Sequence, residues 1–333
     1  MAKFALITDT HLGARNGNKA IRQHQMDFYE KQFFPFMKQN GITQILHTGD
    51  FFDTRSSLSH QVIADALNFV DQLKSHNLHM TIIVGNHDTP NKNNNNLDAS
   101  SMLLRSDHVT IVDSFVNMHD ILFCPWVNKE NHDEFMQAIQ STKSRYCFGH
   151  LDILGAKFSK YGNPSIDGIE PKLFKKFDRV ISGHFHTKST LGNIDYLGSP
   201  FEYTWVDWND PKGFHVFDVE TNELTFIENK DKLFYKVSIT ETGTTVAPSK
   251  PDSFVGKFVH VESTIKDPKA LKKLPDVLGA VADLQVTIKE PEMIIEDIRV
   301  GSVDTMIQDG VQSVREDRRD GVLSILKSAM ERI

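Results

Sequence analysis

Met80-Thr81-Ile82-Ile83-Val84-Gly85-Asn86-His87-Asp88 is a run of apolar and β-branched residues that halts at a glycine and then turns to an amide, an imidazole and a carboxylate. A short apolar run without polar alternation reads as a strand buried on both faces. A core has no use for Asn-His-Asp just beyond it, whereas a ligand site at a strand end does. The pattern recurs outward in both directions. Lys3–Thr8 runs into Asp9-Thr10-His11, Gln44–Thr48 into Gly49-Asp50, Arg145–Phe148 into Gly149-His150, and Arg179–Ser182 into Gly183-His184-Phe185-His186.

Between these strands, and two more at Val109–Val112 and Ile121–Pro125, lie helical patterns. They fall at Ile21–Asn40, at Ser59–Ser75 with Val62, Ala66, Leu67, Phe69, Val70 and Leu73 on one side, and at Asn131–Ser141. Such alternation predicts an α/β domain with helices covering a central sheet. Asn91–Asn96 reads as a polar, mobile loop with no packing potential. Beyond Gly213 the pattern turns hairpin-like: Phe214–Val219, a turn over 220–223, then Leu224–Glu228. Glu241–Asp252 is rich in Thr, Pro and Ser and reads as a linker or long loop. Lys257–Glu262, a helix near Asp267–Leu278 and Gln285–Glu290 predict a small α+β unit. Val303, Met306, Ile307, Val311 and Val314 recur at helical spacing, as do Val322, Ile325, Leu326, Met330 and Ile333 after a charged break. Two short amphipathic helices follow, for packing on the chain's own body or docking on a partner.

Composition narrows the class. At 333 residues, with 39% hydrophobic and 24% charged residues, the chain suits a soluble protein with one large domain and something smaller. No apolar stretch approaches a membrane span and the start lacks a secretory layout. Two cysteines, Cys124 and Cys147, argue for a reducing compartment, so a cytoplasmic location is expected. The net charge of −7 argues against a protein that coats nucleic acid unaided. Residues 157–188 nonetheless gather Lys157, Lys160, Lys172, Lys175, Lys176, Arg179 and Lys188, which make either a basic surface beside the site or an ordinary solvated face.

The strand-end residues are hard and borderline donors, and the cysteines are unpaired in the sequence, so a mixed oxygen and nitrogen site for divalent metals is the consistent reading. Asp9 and His11, two apart, can face one ion. Asp50 has two carboxylate oxygens and can bridge two ions, Asn86 supplies a neutral oxygen, and His184 and His186 can serve one ion each. His150 completes the set. Two ions roughly 3.5–4 Å apart activate water and neutralise phosphoryl oxygens during in-line displacement. His87 is then free for the leaving group, with Asp88 expected to fix its tautomer and charge. His47 lies inside a strand and reads as structural.

The ordered set Asp-x-His, Gly-Asp-x-x-Asp, Gly-Asn-His-Asp, Gly-His and Gly-His-x-His resembles the calcineurin-like metallophosphoesterase superfamily. Gly49-Asp50-Phe51-Phe52-Asp53-Thr54-Arg55 and Tyr196-Leu197-Gly198-Ser199-Pro200 resemble its SbcD-type DNA repair nuclease branch. The resemblance implies a central β-sandwich flanked by helices over residues 1–236, a DNA-capping α+β domain over 237–300 and a C-terminal helix pair over 301–333. It implies that Asp9, His11, Asp50 and His186 bind one metal and Asp50, Asn86, His150 and His184 the other, with His87 catalytic. It further implies Mn2+ as activator (Mg2+ is the alternative), DNA as substrate and exo- or endonuclease action. The implied partner is an SbcC-type ABC ATPase whose coiled coil receives residues 303–333. Dimerisation would run through Ser59–Ser75 and Asp98–Leu104. Some relatives place a histidine where this chain has Asp53, which leaves the exonuclease–endonuclease balance open. A protein phosphatase or cyclic-nucleotide phosphodiesterase on the same fold is the competing reading, although Asp53-Thr54-Arg55 lacks the Asp-Arg-Gly of the phosphatases. A binding protein with a degenerate site is a third, disfavoured because every expected ligand is present.

Overall fold

The strand-end pattern folds as two facing six-stranded sheets. The computed structural model describes residues 3–288 apart from 92, 158–161, 241–242 and 265–280. The first sheet runs β12 (Glu223–Glu228), β11 (Gly213–Asp218), β1 (Lys3–Ile7), β2 (Gln44–His47), β3 (His79–Ile83) and β4 (Val109–Val112). Strands β1 to β4 are parallel, and β11 joins β1 antiparallel as one arm of the expected hairpin. The second sheet runs β5 (Val116–Met118), β6 (Ile121–Cys124), β7 (Tyr146–His150), β8 (Arg179–Gly183), β10 (Ile194–Tyr196) and β9 (Ser189–Leu191). Its central members β6, β7, β8 and β10 are parallel.

Side chains alternate across each strand, so one residue faces the other sheet and the next faces a helix layer. Leu6, Leu46 and Ile83 meet Phe123, Tyr146, Phe148 and Ile181 in the core between the sheets. Ala5, Ile7, Ile45 and Ile82 turn the other way, onto Phe28, Phe33, Phe69 and Leu73 of the helices. Leu122, Cys147 and Val180 meet Phe135, Ile139 and Phe174 on the far side. Both faces of each inner strand are therefore apolar, which is why the strands lack polar alternation. Each fully buried Phe or Leu contributes roughly 1.5–3 kcal/mol of transfer free energy.

The expected helix Ile21–Asn40 is broken in its middle. Helix Lys19–Phe28 passes into a π turn at Tyr29–Phe33 and continues as Phe34–Asn40. Pro35 lacks an N–H and its ring crowds the carbonyl four residues back, so the turn before it widens. The helices expected at Ser59–Ser75 and Asn131–Ser141 are present as His60–Ser75 and His132–Ser141. The expected linker over Glu241–Asp252 is corrected: Gly243–Ala247 forms strand β14, paired antiparallel with β13 (Phe234–Thr240). With β15 (Phe258–Ser263) and β16 (Asp283–Ile288), both added in parallel, these make a third, four-stranded sheet. Thr244 and Thr245 are β-branched and pair with Ile239 and Ser238, so the Thr-rich run that read as a linker is strand material. The Asn91–Asn96 loop is also tied down, through Asn95 to the Trp126 carbonyl at 3.0 Å and to Asn128 at 3.1 Å. The three sheets belong to one compact unit that ends at Ile288. The helix expected near Asp267–Leu278 and the terminal pair in 301–333 lie outside the described residues. No helix among the described residues is long and apolar enough to cross a membrane.

Candidate metal centre

All seven proposed ligands converge where the two sheets meet. The loop after β1 presents Asp9 and His11, the loop after β2 presents Asp50, and the loop after β3 presents Asn86 and His87. The ends of β7 and β8 present His150, His184 and His186. Backbone pairing carries past the strands: Thr48 N–H bonds Ile7 O at 3.0 Å, Asp9 N–H bonds Gly49 O at 3.0 Å and His11 N–H bonds Asp50 O at 3.1 Å. Asp9, His11, Asp50 and His184 are all held at positive φ, 49°, 42°, 56° and 90°. Such strain in residues with a Cβ persists only where the surroundings over-determine it, and it clusters at functional sites. Gly183 must be glycine, because a Cβ there would run into Thr8 Oγ1 and stand 2.8 Å from Thr48 O.

The proposed ligands fall into two donor groups, besides a third set, His11, Asp53 and His87, that shares His11. Asp9, His11 and His186 form one, and Asp50, His150 and His184 the other, each with donor atoms within 4.8 Å of one another. His11 Nε2 is 3.0 Å from His186 Nε2. Asn86 Oδ1 sits 3.0 Å from His150 Nε2 and 2.9 Å from His184 Nδ1. Asp50 Oδ2 lies between the groups, 3.3 Å from His150 Nε2 and 3.8 Å from His11 Nε2. Burial pushes the His184 and His186 rings down to about 3, helped by the charge of His150 at the former and of His11 at the latter. Both are therefore neutral imidazoles with lone pairs to give. Burial pushes Asp9 up to about 6. Burial also opposes the charge on His150, yet Asp50 brings that ring up to about 9. Buried carboxylates and imidazoles around one amide oxygen are the donor set of a divalent ion, which would take the place of the proton that Asp50 favours on His150, and these residues fit two. Cys124 and Cys147 take no part; their sulfurs lie 3.7 Å apart in the outer core.

His87 is half-buried on the wall of a cavity of about 550 Å³ that also exposes His11, Asp50, Asn86, His184, His186, Arg15 and Tyr203. Its Nδ1 is 2.6 Å from Asp53 O, and its N–H donates to Asp50 Oδ1 at 2.7 Å. Here the expectation for Asp88 needs correcting. Its carboxylate does not hold the His87 ring; it accepts the backbone N–H groups of Gly85, Asp50, Phe51 and Phe52 at 2.9, 3.0, 3.0 and 3.1 Å. The chain turns after Asn86 so that residues 87 and 88 point apart, and Asp88 becomes the peg of the Asp50 loop. Burial and the neighbouring Asp50 push its carboxyl up to about 7 against the pull of those N–H groups.

His47 is structural, as its place in a strand suggested: Gly49 N–H donates to Nδ1 at 3.2 Å, and Nε2 meets Thr10 Oγ1 at 3.0 Å. The basic run is partly spoken for. Lys176 donates to the Thr142 carbonyl at 2.8 Å, and Arg179 pairs with Asp195 at 2.6 Å. Sequence reasoning missed Tyr203, whose hydroxyl donates to Asp9 O at 2.8 Å, and Trp126, whose ring lies 5.2 Å from that of His184. Neither belongs to a strand-end motif. Asp53, singled out only as a departure from relatives, places a carboxylate oxygen 3.4 Å from His11 Nδ1.

Residues 2–188, which carry every one of these ligands, match the calcineurin-like phosphoesterase family. The chain belongs to that family. As a metallophosphoesterase it is similar to exonuclease subunit 1 of Enterobacteria phage T4, 31% identical over 331 residues that cover 94% of this chain and 93% of that protein. It is 25% identical to a subunit of the SbcCD nuclease of Staphylococcus saprophyticus over 259 residues, 67% of each chain. It is 22% identical to the DNA double-strand break repair protein Mre11 of Sulfolobus acidocaldarius over 340 residues, 98% of this chain and 74% of that one. The metallophosphoesterase is therefore a homologue of a phage exonuclease subunit along 94% of its length and of an SbcCD subunit along 67% of it.

Proposed function

We propose that this metallophosphoesterase is a DNA nuclease, the catalytic subunit of a complex that processes DNA ends in recombination and break repair. The observation that carries the reading is the pair of donor groups joined by Asp50, in a chain collinear with a phage exonuclease subunit over 94% of its length. Asp9, His11 and His186, with Asp50, would hold one divalent ion, and Asp50, Asn86, His150 and His184 the other; Mn2+ is the ion proposed. When bound, such a pair supplies Lewis acidity and activation of water for in-line attack at phosphorus. The chain's own residues do the rest. Asp53 O accepts the His87 Nδ1–H and so orients the ring; Nε2 carries a proton for the departing oxygen only in the imidazolium form, which burial disfavours and Asp50 favours. Asp88 keeps the Asp50 loop in register, and Tyr203 closes one wall of the cavity.

The remaining assignments follow the same reading. DNA would lie across the cavity, with the domain from 237 to 300 as its cap. Residues 303–333 would dock on the coiled coil of an ABC-type ATPase in the cytoplasm. A homodimer would form through Ser59–Ser75 and Asp98–Leu104, where Leu67 and Met102 are 49% and 66% exposed. The test is cleavage of end-labelled linear duplex DNA with Mn2+, comparing wild type, His87→Ala and a chelator-treated control. His87→Ala should bind metal normally and lose on the order of 10²–10⁴ in rate. Full activity in that variant overturns the role of His87. Intact DNA alongside metal-dependent hydrolysis of a small phosphodiester overturns the substrate.

A further inference from the structure

Beside the first donor group lies a buried charge cluster that the phosphodiesterase chemistry leaves unused. Lys212 is 2% exposed. Its Nζ donates to the His186 carbonyl at 2.7 Å and stands 2.9 Å from both Asp207 Oδ1 and Asp210 Oδ2. A buried ammonium survives only where oxygens replace its water, and these three oxygens come from two different structures. His186 carries an imidazole of the first donor group. Asp207 turns its other oxygen, Oδ2, to the N–H groups of Tyr203 and Thr204 at 3.1 and 3.0 Å. Tyr203 donates its hydroxyl to Asp9 O at 2.8 Å, and its ring stands 5.5 Å from that of His11 and 5.6 Å from that of His186.

Lys212 is thus joined to every member of one donor group, to His186 directly and to Asp9 and His11 through Asp207 and Tyr203. The second group is anchored mainly from elsewhere, although the His184 N–H donates to Asp9 Oδ2 at 3.0 Å. His150 Nδ1 is 2.9 Å from Thr48 O, and the Asp50 backbone is pegged by Asp88. Groups that orient the ligands of a metal routinely change its affinity when removed.

We infer that Lys212 is a positioning residue for one of the two ion sites. It fixes the Asp9–His11–His186 group directly and reaches the Asp50–His150–His184 group only at second hand, through Asp9, whose carboxylate accepts the His184 N–H at 3.0 Å, so the two ions differ in their need for it. The inference rests on the two-ion reading above.

The test is titration of the full chain with Mn2+ alone, by calorimetry and by electron paramagnetic resonance. Wild type is compared with Lys212→Gln and with Tyr203→Phe, the latter removing one hydroxyl and no buried charge. Wild type should take up two ions. Lys212→Gln should weaken one of them at least tenfold and leave the other within twofold. Tyr203→Phe should weaken the same ion by threefold or more, and it decides the matter if Lys212→Gln does not fold. Equal loss at both sites, unchanged binding or tighter binding in a folded variant overturns the inference while leaving the two-ion reading intact. A wild type that binds fewer than two ions removes the two-ion reading itself and the inference with it.

Discussion

The two sheets of the sandwich bring opposite chemistry to the place where they meet. The first sheet, through the loops after β1, β2 and β3, brings Asp9, Asp50 and Asn86, which are all the oxygen donors, together with His11. The second, through β7 and β8, brings only imidazoles, His150, His184 and His186. Neither donor group is complete on one sheet. Ions held there would bridge the two layers, and metal affinity and sandwich stability would then be coupled.

The sharpest way to break this division is at Asp50, the carboxylate that reaches imidazoles of both groups. Asp50→Ala should lower metal-dependent cleavage by on the order of 10³-fold, about 4 kcal/mol of barrier, and remove both ions from a calorimetric titration. Loss of a single ion would show that the groups are not joined at Asp50. Next in size is the effect of removing metal. An ion at 100 times its dissociation constant adds about 2.7 kcal/mol to the folded state. Chelation should therefore lower Tm by about 4 °C per ion in thermal melts. An unchanged Tm would mean that the sheets are held without the ions.

The smallest effect is at the third sheet, whose core among the described residues is Val237, Val259 and Val261 with Ile239, Val246, Phe254, Val281 and Leu284 partly buried against it. It leans on its border instead, where Asp231 meets His24 at 3.2 Å and Lys257 at 2.7 Å. Burial opposes the charge on Asp231, but those two partners hold its carboxyl below the usual range. A depressed folded pKa gives stability that is fully present above the unfolded value of about 3.9 and is lost as pH falls through it. Because Asp231 is 42% exposed, solvent screens much of this. Melts between pH 5 and pH 3 should show wild type losing a few degrees (~2 °C) more than Asp231→Asn. Parallel losses would clear Asp231 of the role.

The same division explains what was legible in the sequence. Strands buried on both faces and closed by Gly-Asp, Gly-His or Asn-His-Asp leave a mark in one dimension, so β1, β2, β3, β7 and β8 and the convergence of the seven proposed ligands could be read directly. Asp88 could not, because adjacency in sequence suggested a partnership with His87 that the turn undoes. Tyr203 and Lys212 were equally hidden: each acts through a backbone carbonyl, and a carbonyl acceptor leaves no mark on residue type. The Thr-rich strand β14 was concealed by the prolines that follow it at Pro248 and Pro251. The π turn at Tyr29–Phe33 follows from Pro35, a signal present in the sequence but outweighed by strong periodicity.

Glu202 and Tyr203 are consecutive. Glu202 Oε2 accepts the N–H groups of Leu233 and Phe234 at 2.7 and 3.1 Å, at the root of the third sheet, while Tyr203 holds Asp9. A single peptide unit therefore spans the distance from that sheet to the main chain of Asp9, so the strand that opens the outer sheet and a proposed ligand share one short tether.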